Sequence, residues 1–198
     1  MKTTSANILM GGILVALVAA GVYFALNNFM PTSPGDAQSV ATVQSVIDIG
    51  PGLPARLVIP AINVDAKVLY VGLAADGSVD APKGPTDVAW FRLGPRPGAQ
   101  GSAIITGHFG PWRTGAKSVF DNLEQLKSGD SIFVKDDQGN SVEFKVRETK
   151  VYDSSENPKE VFNQSDGKYL NLITCNGDWI ASQKTYTKRL VVFTEAVN

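Results

Sequence analysis

Residues 169–175 read YLNLITC, an apolar run that ends in Cys175, the chain's only cysteine. Two further strand-like runs also carry a reactive side chain at one end. Residues 104–108 read IITGH and end in the only histidine, and Arg189 begins the run RLVVF. A thiol, an imidazole and a guanidinium, each at the end of an apolar run, indicate a cysteine nucleophile with its catalytic helpers.

A long apolar segment lies near the amino terminus. Residues 8–26 read ILMGGILVALVAAGVYFAL and carry no charged side chain. As a helix this segment would be about 28 Å long, which matches the hydrocarbon core of a bilayer. The apolar region of a cleaved signal peptide is usually shorter, about 7–15 residues. We therefore expect an uncleaved transmembrane anchor, with a cleaved signal as the alternative.

The flanking charges predict how this anchor is oriented. Lys2 precedes it without any acidic residue, and no lysine or arginine follows it until Arg56. The positive-inside rule then places residues 1–7 in the cytoplasm and the rest of the chain outside the cell membrane. An unpaired cysteine outside the cell suggests an intermolecular link or a reactive thiol, although many free cysteines are simply buried.

The remaining sequence divides into a linker and one domain. Residues 27–54 are rich in proline, glycine and small polar residues, which is typical of a linker, with a short helix expected at 41–49. Residues 55–198 are about the length of a single domain. The formal net charge is −1, from 18 basic and 19 acidic residues without a basic stripe. Nucleic-acid binding therefore has no electrostatic support.

The domain has the pattern of a mainly β protein. Strands are predicted at residues 56–60, 66–71, 101–106, 131–135, 141–146, 169–174 and 189–194. The sequence DDQGN at 136–140 predicts a hairpin turn between two of these strands. Many short strands separated by turn residues favour a barrel or a sandwich over a parallel sheet.

One helix is predicted within the domain, over residues 116–127. Its apolar side chains recur at helical spacing and form a single face, and Gly129 lies just past its end as a stop signal. We expect this helix to pack against the side of the β structure or to close one end of it.

The three singled-out side chains could together carry out acyl transfer. A cysteine attacks as its thiolate and needs a base or a cation beside it. His108 can accept the thiol proton and return it to a leaving amine, and Arg189 can donate hydrogen bonds to an oxyanion. The alternatives are a structural histidine, an ion-paired surface arginine and a buried, inert Cys175. No residues have zinc-ligand spacing and no clear acidic cluster occurs, so neither a metal nor another cofactor is predicted.

Three segments resemble the signature segments of the sortases. They are TGH at 106–108, LITC at 172–175 and RLVV at 189–192. Further segments are similar to the same family, at residues 56–64, 90–91, 97–103 and 119–123. The resemblance covers nearly all of residues 55–197.

The resemblance implies a bacterial cysteine transpeptidase with an eight-stranded β-barrel and one or two short helices. Sortases cleave a sorting signal of the LPxTG type between Thr and Gly through a thioacyl intermediate. An amine acceptor, such as a peptidoglycan precursor or a pilin lysine, then takes the acyl group. By this resemblance Cys175 would be the nucleophile, His108 the general acid/base, and Arg189 the oxyanion-stabilising or substrate-positioning residue.

The resemblance also implies residues that bind the peptide. Thr174 would line the pocket beside the nucleophile. Trp179 and Tyr186 lie in the segment 176–188, which we predict to be a short substrate-recognition loop. These aromatic side chains would contact the peptide or close the groove, although Trp179 could instead only pack on the barrel.

The subclass and two other functions complete the hypotheses. Residues 85–107 are most similar to class F-like sortases, with classes D and E as neighbours. One alternative function is a sortase-fold hydrolase with water as the acceptor. The other is a non-catalytic surface-anchored β-domain that binds peptide or wall material.

Overall fold

The computed structural model describes residues 50–112 and 115–197. Their strands, in chain order, are β1 (Pro54–Ile59), β2 (Val64–Val71), β3 (Val88–Phe91), β4 (Gly101–Gly107), β5 (Ser131–Asp136), β6 (Ser141–Asp153), β7 (Lys168–Ile180) and β8 (Thr185–Ala196). The helical segments in the same part of the chain are short: 3-10 turns at Pro60–Ile62 and Leu123–Gln125, and one α-helical turn, α1, at Lys159–Phe162. The mainly β fold class and the low helix content are confirmed.

The strands form a closed barrel in the order β1-β2-β3-β4-β7-β8-β6-β5, with β5 pairing back to β1. The β2–β3 and β4–β7 pairs are parallel, and the other neighbours are antiparallel. The β4–β7 register runs from Gly101↔Lys168 to Thr106↔Ile173. Because the two strands are parallel, the residues that follow Thr106 and Ile173 lie toward the same edge. Strand β4 ends there at Gly107, whereas β7 continues to Ile180 in its pairing with β8.

The barrel has an interior core and a second apolar cluster on its outer face. Alternate residues of a strand point to opposite faces, so Ile105 lies in the interior core whereas its neighbour Ile104 lies in the second cluster. Val161 of α1 packs into that second cluster beside Phe193. The connection between β6 and β7 therefore covers part of the outer face of β4, β7 and β8, and every residue of β4 is buried.

The predicted strands are all present, but some boundaries differ. Strands β6, β7 and β8 extend well beyond the predicted ranges. Strand β3 was not predicted, because four residues are too few to show an alternating pattern. The hairpin between β5 and β6 is confirmed: the Asp136 N–H donates to the Asn140 carbonyl at 2.9 Å, and Gly139 has φ of 88°.

The predicted helix at 116–127 is wrong. Its backbone donors bind elsewhere: the Val119 N–H donates to Pro85 O at 2.8 Å, and the Phe120 N–H donates to His108 O at 3.1 Å. Only the 3-10 turn Leu123–Gln125 is helical within the described part of this segment. The apolar side chains of this segment are nevertheless buried as expected, with Phe120 and Leu123 completely so. Packing in the core explains the apolar spacing without a helix.

Several predictions for the amino-terminal region lie outside the described residues. They are the cytoplasmic segment 1–7, the anchor 8–26, the helix 41–49 and most of the linker 27–54. Across residues 50–112 and 115–197, no helix is both long and apolar enough to span a bilayer. The described end of the linker is held to the β5–β6 turn, where the Gly52 N–H donates to Asp136 at 3.0 Å.

Gly107, at the end of β4, is the subject of the first prediction. A β-carbon at this position would overlap the ring of Phe120, which is fully buried. We expect Gly107→Ala to lower the free energy of unfolding by about 1–3 kcal/mol, because overpacking forces the ring or the strand to shift. Gly84→Ala is the control, since no atom lies within 4 Å of its β-carbon. Urea unfolding of both variants measures the free energy of unfolding. Equal values for the two variants would contradict the close packing of Gly107 against Phe120.

Candidate active site

Cys175 and Arg189 form a cross-strand pair near the end of the barrel. They are directly opposite one another in the antiparallel β7–β8 register, which places their side chains on the same face of the sheet. Cys175 is partly buried. Burial raises the pKa of its thiol, and the positive charge of Arg189 partly offsets this effect. The resting site therefore favours the neutral thiol, so nucleophilic attack requires a base.

The guanidinium of Arg189 is held by the turn end of the β7–β8 hairpin. Its Nη1 donates to the carbonyls of Tyr186 at 3.1 Å and Lys188 at 2.8 Å, and its Nη2 donates to Thr185 Oγ1 at 3.0 Å. A guanidinium has five N–H donors. Two donors, one on Nε and one on Nη2, remain for a ligand. Arg189 is thus both fixed in place and able to bind an oxygen atom.

His108 follows the end of β4 as Cys175 follows the paired part of β7. Each residue lies two positions beyond the last parallel pair, Thr106↔Ile173, so both lie toward the same edge of that pair, His108 just after β4 and Cys175 still within β7. The His108 ring packs against Trp112 with centroids 4.8 Å apart. Its Nε2 lies 2.6 Å from the carbonyl oxygen of Pro82. No hydrogen bond joins the ring to Cys175 within the described residues.

Thr174 connects the two strands that carry these residues. Its side chain is buried, and its Oγ1 donates to the carbonyl of Gly107 at 2.7 Å. The bond joins the residue before Cys175 to the residue before His108. It therefore ties the main chain beside Cys175 to the main chain beside His108. A direct contact of Thr174 with substrate stays a prediction.

The predicted loop at 176–188 is wrong, because most of this segment is a β-hairpin. Strand β7 continues to Ile180 and β8 begins at Thr185. Register irregularity between Asn176 and Trp179, with Gly177 at φ of 79°, forms a β-bulge that gave the segment its loop-like sequence. The sequence did not predict that β7 and β8 continue as a hairpin, because the bulge interrupts the alternation of apolar and polar residues along β7.

Trp179 and Tyr186 pair across this hairpin. Their ring centroids are 5.1 Å apart, and Tyr186 also contacts Phe109 at 5.5 Å. The three side chains form an aromatic row, Phe109–Tyr186–Trp179, that joins the segment after His108 to the hairpin. Trp179 remains 54% exposed at the outer end of the row. It has an apolar surface available to a ligand.

The hydroxyl group of Tyr186 lies against Gly110, two residues after His108. Burial raises the pKa of Tyr186, and the nearby Cys175 and Asp121 charges raise it further. The phenol therefore stays protonated and can donate a hydrogen bond. It lies against Gly110, where any β-carbon would overlap the hydroxyl, so a glycine is needed for this ring to reach the site.

Carboxylates around the site are engaged by protein groups. Asp121 accepts from the Gly110 N–H at 2.8 Å and from the Ser118 N–H at 3.0 Å. Asp76 accepts from the Ser78 hydroxyl at 2.6 Å and from the Ser78 N–H at 3.0 Å, and its pKa is lowered by these hydrogen bonds and, less strongly, by Arg189. In the part of the chain that the structure describes, no group of three or more His, Cys, Asp or Glu is arranged to hold a metal ion.

Sequence reasoning missed several residues of the site. Pro82, Phe109, Asp121 and Thr185 contact the three reactive side chains or the segments that carry them. These residue types are common in turns and strands, and their spacing from His108 or Arg189 follows no motif. The TGH segment is the only signal that pointed near Phe109.

The arrangement predicts how Arg189 affects the thiol. Arg189→Ala removes the positive charge that lowers the Cys175 pKa, so the midpoint of alkylation against pH should rise, and Arg189→Lys should give a midpoint between the two. The extent of iodoacetamide modification at each pH is measured by intact mass, which reports on Cys175 alone because the chain has a single cysteine. An unchanged midpoint in Arg189→Ala would show that the guanidinium does not act on the thiol.

Comparisons with known proteins concern the family and the fold of this chain. The sortase domain family matches residues 57–197. Sortase C-1 of Actinomyces oris has a similar structure, with 27% identity, a TM-score of 0.54, and coverage of 73% of each chain. A lid mutant of sortase A from Corynebacterium diphtheriae has 23% identity and a TM-score of 0.58, over 75% of this chain and 72% of that one.

A third similar structure is the sortase D5 transpeptidase of Clostridium perfringens, with 21% identity, a TM-score of 0.55, and coverage of 73% of this chain and 79% of that one. The likenesses below 25% identity concern the fold. A search of curated proteins found no match. Because the family match spans most of the sequence and includes both His108 and Cys175, the chain belongs to the sortase family.

Proposed function

We propose that this protein is a membrane-anchored cysteine transpeptidase that joins surface proteins to the cell wall. The observation that carries the proposal is the Cys175–Arg189 cross-strand pair at the edge of the barrel where His108 leaves the parallel neighbour strand. Membership of the sortase family supplies the reaction class. The substrate is the sorting signal of a secreted protein, of the LPxTG type, and the acceptor is an amine.

The first half of the reaction makes a thioester. His108 accepts the proton of the Cys175 thiol, and the thiolate attacks the carbonyl carbon of the Thr–Gly bond. The C–N bond then breaks, and His108 returns the proton to the departing glycine amine. Because burial raises the pKa of Cys175, this proton transfer is a necessary step.

The second half transfers the acyl group. The acceptor amine attacks the thioester carbon and loses a proton to His108, and the C–S bond breaks to release Cys175. A peptidoglycan precursor or a pilin lysine has the required primary amine. Water in place of the amine would yield the hydrolysed product, which is the alternative function.

Arg189 stabilises the negative oxygen that forms in each half. Its three internal hydrogen bonds fix the guanidinium, and two N–H donors remain for the oxyanion. A preorganised donor of this kind costs no reorganisation during the reaction. Removal of one such donor typically slows an enzyme by about 100- to 1000-fold.

The aromatic row binds the peptide. Trp179 is exposed and Tyr186 lies between Trp179 and the segment after His108. A peptide whose scissile carbonyl reaches Cys175 would pass close to both rings. Thr174 contributes through its bond to Gly107, and any direct contact with the peptide would be made by its main chain, since its side chain is buried.

The cellular arrangement follows from the amino-terminal sequence. Residues 8–26 anchor the protein in the cell membrane in a single pass, with residues 1–7 in the cytoplasm. The linker 27–54 and the catalytic domain 55–198 are then extracytoplasmic. Secreted substrates and wall precursors are present on that side of the membrane.

The subclass is proposed from sequence alone. Residues 85–107 are most similar to class F-like sortases, with classes D and E as neighbours. The structures described above belong to classes C, A and D by their names. Cleavage profiles against peptide libraries would test the assignment.

The central variant is Cys175→Ala. We expect cleavage of a labelled sorting peptide by the full-length protein to fall below about one-thousandth of the wild-type rate, because the nucleophile is lost. His108→Ala should have a comparable effect. Residual cleavage in Cys175→Ala close to the wild-type rate would refute the mechanism.

Analysis of the products separates the transferase from the two alternatives. With an added amine, the wild-type protein should yield the amide, and without it a slower hydrolysis product. A product ratio unaffected by the amine would indicate a hydrolase. Peptide binding without any cleavage, together with a thiol that resists alkylation, would indicate a non-catalytic binding domain.

Trp179 provides a test of the peptide-binding surface. Trp179→Ala should lower kcat/KM by about 3- to 10-fold, mainly through KM, because an aromatic contact to the peptide is lost. The matched control is Leu93→Ala, which removes a 63% exposed apolar side chain beyond the distal end of β3. Equal kinetics in the two variants would show that Trp179 only packs on the barrel.

A further inference from the structure

The connection between β2 and β3, residues 72–87, reaches the reactive imidazole. Pro82 lies in this connection and is buried, and its carbonyl oxygen is 2.6 Å from His108 Nε2. A carbonyl oxygen only accepts hydrogen bonds, so Nε2 must carry a proton in this contact. A neutral imidazole has one N–H, which leaves Nδ1 as the nitrogen with the free lone pair.

The connection is fastened on both sides of Pro82. Upstream, the hydroxyl of Thr106 donates to the Asp80 carbonyl at 3.1 Å. Downstream, the Val119 N–H donates to the Pro85 carbonyl at 2.8 Å. The proline ring also restricts its own backbone. The Pro82 carbonyl is therefore held in one position relative to the end of β4.

The main chain of His108 is fixed as well. Its carbonyl accepts from the Phe120 N–H at 3.1 Å, and its ring packs on Trp112. The ring can thus meet Pro82 in only a narrow range of orientations. A base that is held by a third group in one tautomer is the arrangement that nucleophilic catalysis requires.

We infer that the β2–β3 connection is a positioning segment for the general base. The Pro82 carbonyl holds His108 as the Nε2–H tautomer and reserves Nδ1 to exchange the proton of Cys175. After Nδ1 accepts that proton, the same carbonyl stabilises the imidazolium. The role of Nδ1 rests on the proposed function, whereas the tautomer itself does not.

The single histidine makes the tautomer directly measurable. Full-length protein labelled with ¹⁵N-histidine gives one pair of ring nitrogen signals, read well above the midpoint of the ring's own titration. We expect the Nε2–H form in the wild type and also in Cys175→Ala, because Pro82 and not the thiol selects it. A predominant Nδ1–H form in either protein would overturn the inference.

This readout is independent of the reaction. If Cys175→Ala still cleaves the peptide while the ring remains Nε2–H, the proposed function fails and with it the role of Nδ1, whereas the assignment of the tautomer to the Pro82 contact survives. If Cys175→Ala is inactive and the ring is Nδ1–H, the positioning role fails and the proposed function survives.

Thr106 tests whether the connection does the positioning. Thr106→Val keeps the side-chain shape but removes the hydroxyl that binds Asp80 O, and Thr106→Ser keeps the hydroxyl. We expect Thr106→Val to show a mixture of tautomers and a kcat lower by about 10-fold or more, with KM nearly unchanged. Thr106→Ser should restore both. Wild-type spectra and kcat in Thr106→Val would contradict the role of the connection.

Discussion

Parallel pairing of β4 with β7 brings together two residues that are 67 positions apart, with His108 after one strand and Cys175 near the same edge of the other. An antiparallel pairing would place the end of β4 at the opposite edge from Cys175. The rest of the site depends on this arrangement. The hydrogen bond from the Thr174 hydroxyl to the Gly107 carbonyl joins β7 to the end of β4. Strand β8 places Arg189 directly opposite Cys175.

Around this pair, hydrogen bonds hold the segment after His108 and the side chain of Arg189 in position. The segment that precedes the 3-10 turn donates from Phe120 to His108 and accepts through Asp121 from Gly110. The β7–β8 hairpin holds the guanidinium of Arg189 with two carbonyls and a hydroxyl. The main chain at His108 and the guanidinium of Arg189 are thus each held by hydrogen bonds to other groups of the protein. The partly buried thiol of Cys175 favours its neutral form, and the His108 ring contacts the Pro82 carbonyl.

Much of the fold was predictable, because strands with one buried face show their alternation in sequence. The candidate site residues drew attention for a different reason: the single cysteine, the single histidine and Arg189 lie beside apolar runs. The predicted helix at 116–127 failed because buried side chains such as Phe120 and Leu123 can show helical spacing when the backbone bonds elsewhere. The β7–β8 hairpin was missed because the bulge at Gly177 interrupts its alternation.

Contacts between distant segments carry no local signal. Pro82 and Thr185 reach His108 and Arg189 only through the folded geometry, and neither belongs to a motif. Their residue types are ordinary in turns and strands. The sequence could therefore suggest His108 and Arg189 as candidates, but only the folded structure shows which groups hold them.

Trapping the acyl-enzyme tests the central claim most directly. The full-length protein would be mixed with a sorting peptide, quenched in acid within the first turnover, and analysed by intact mass and peptide mapping. The account predicts an adduct with the mass of the peptide's amino-terminal fragment less one water, located on Cys175. Hydroxylamine should remove it, and an added amine should shorten its lifetime. Peptide cleavage without an adduct, or with the adduct on another residue, would contradict the account.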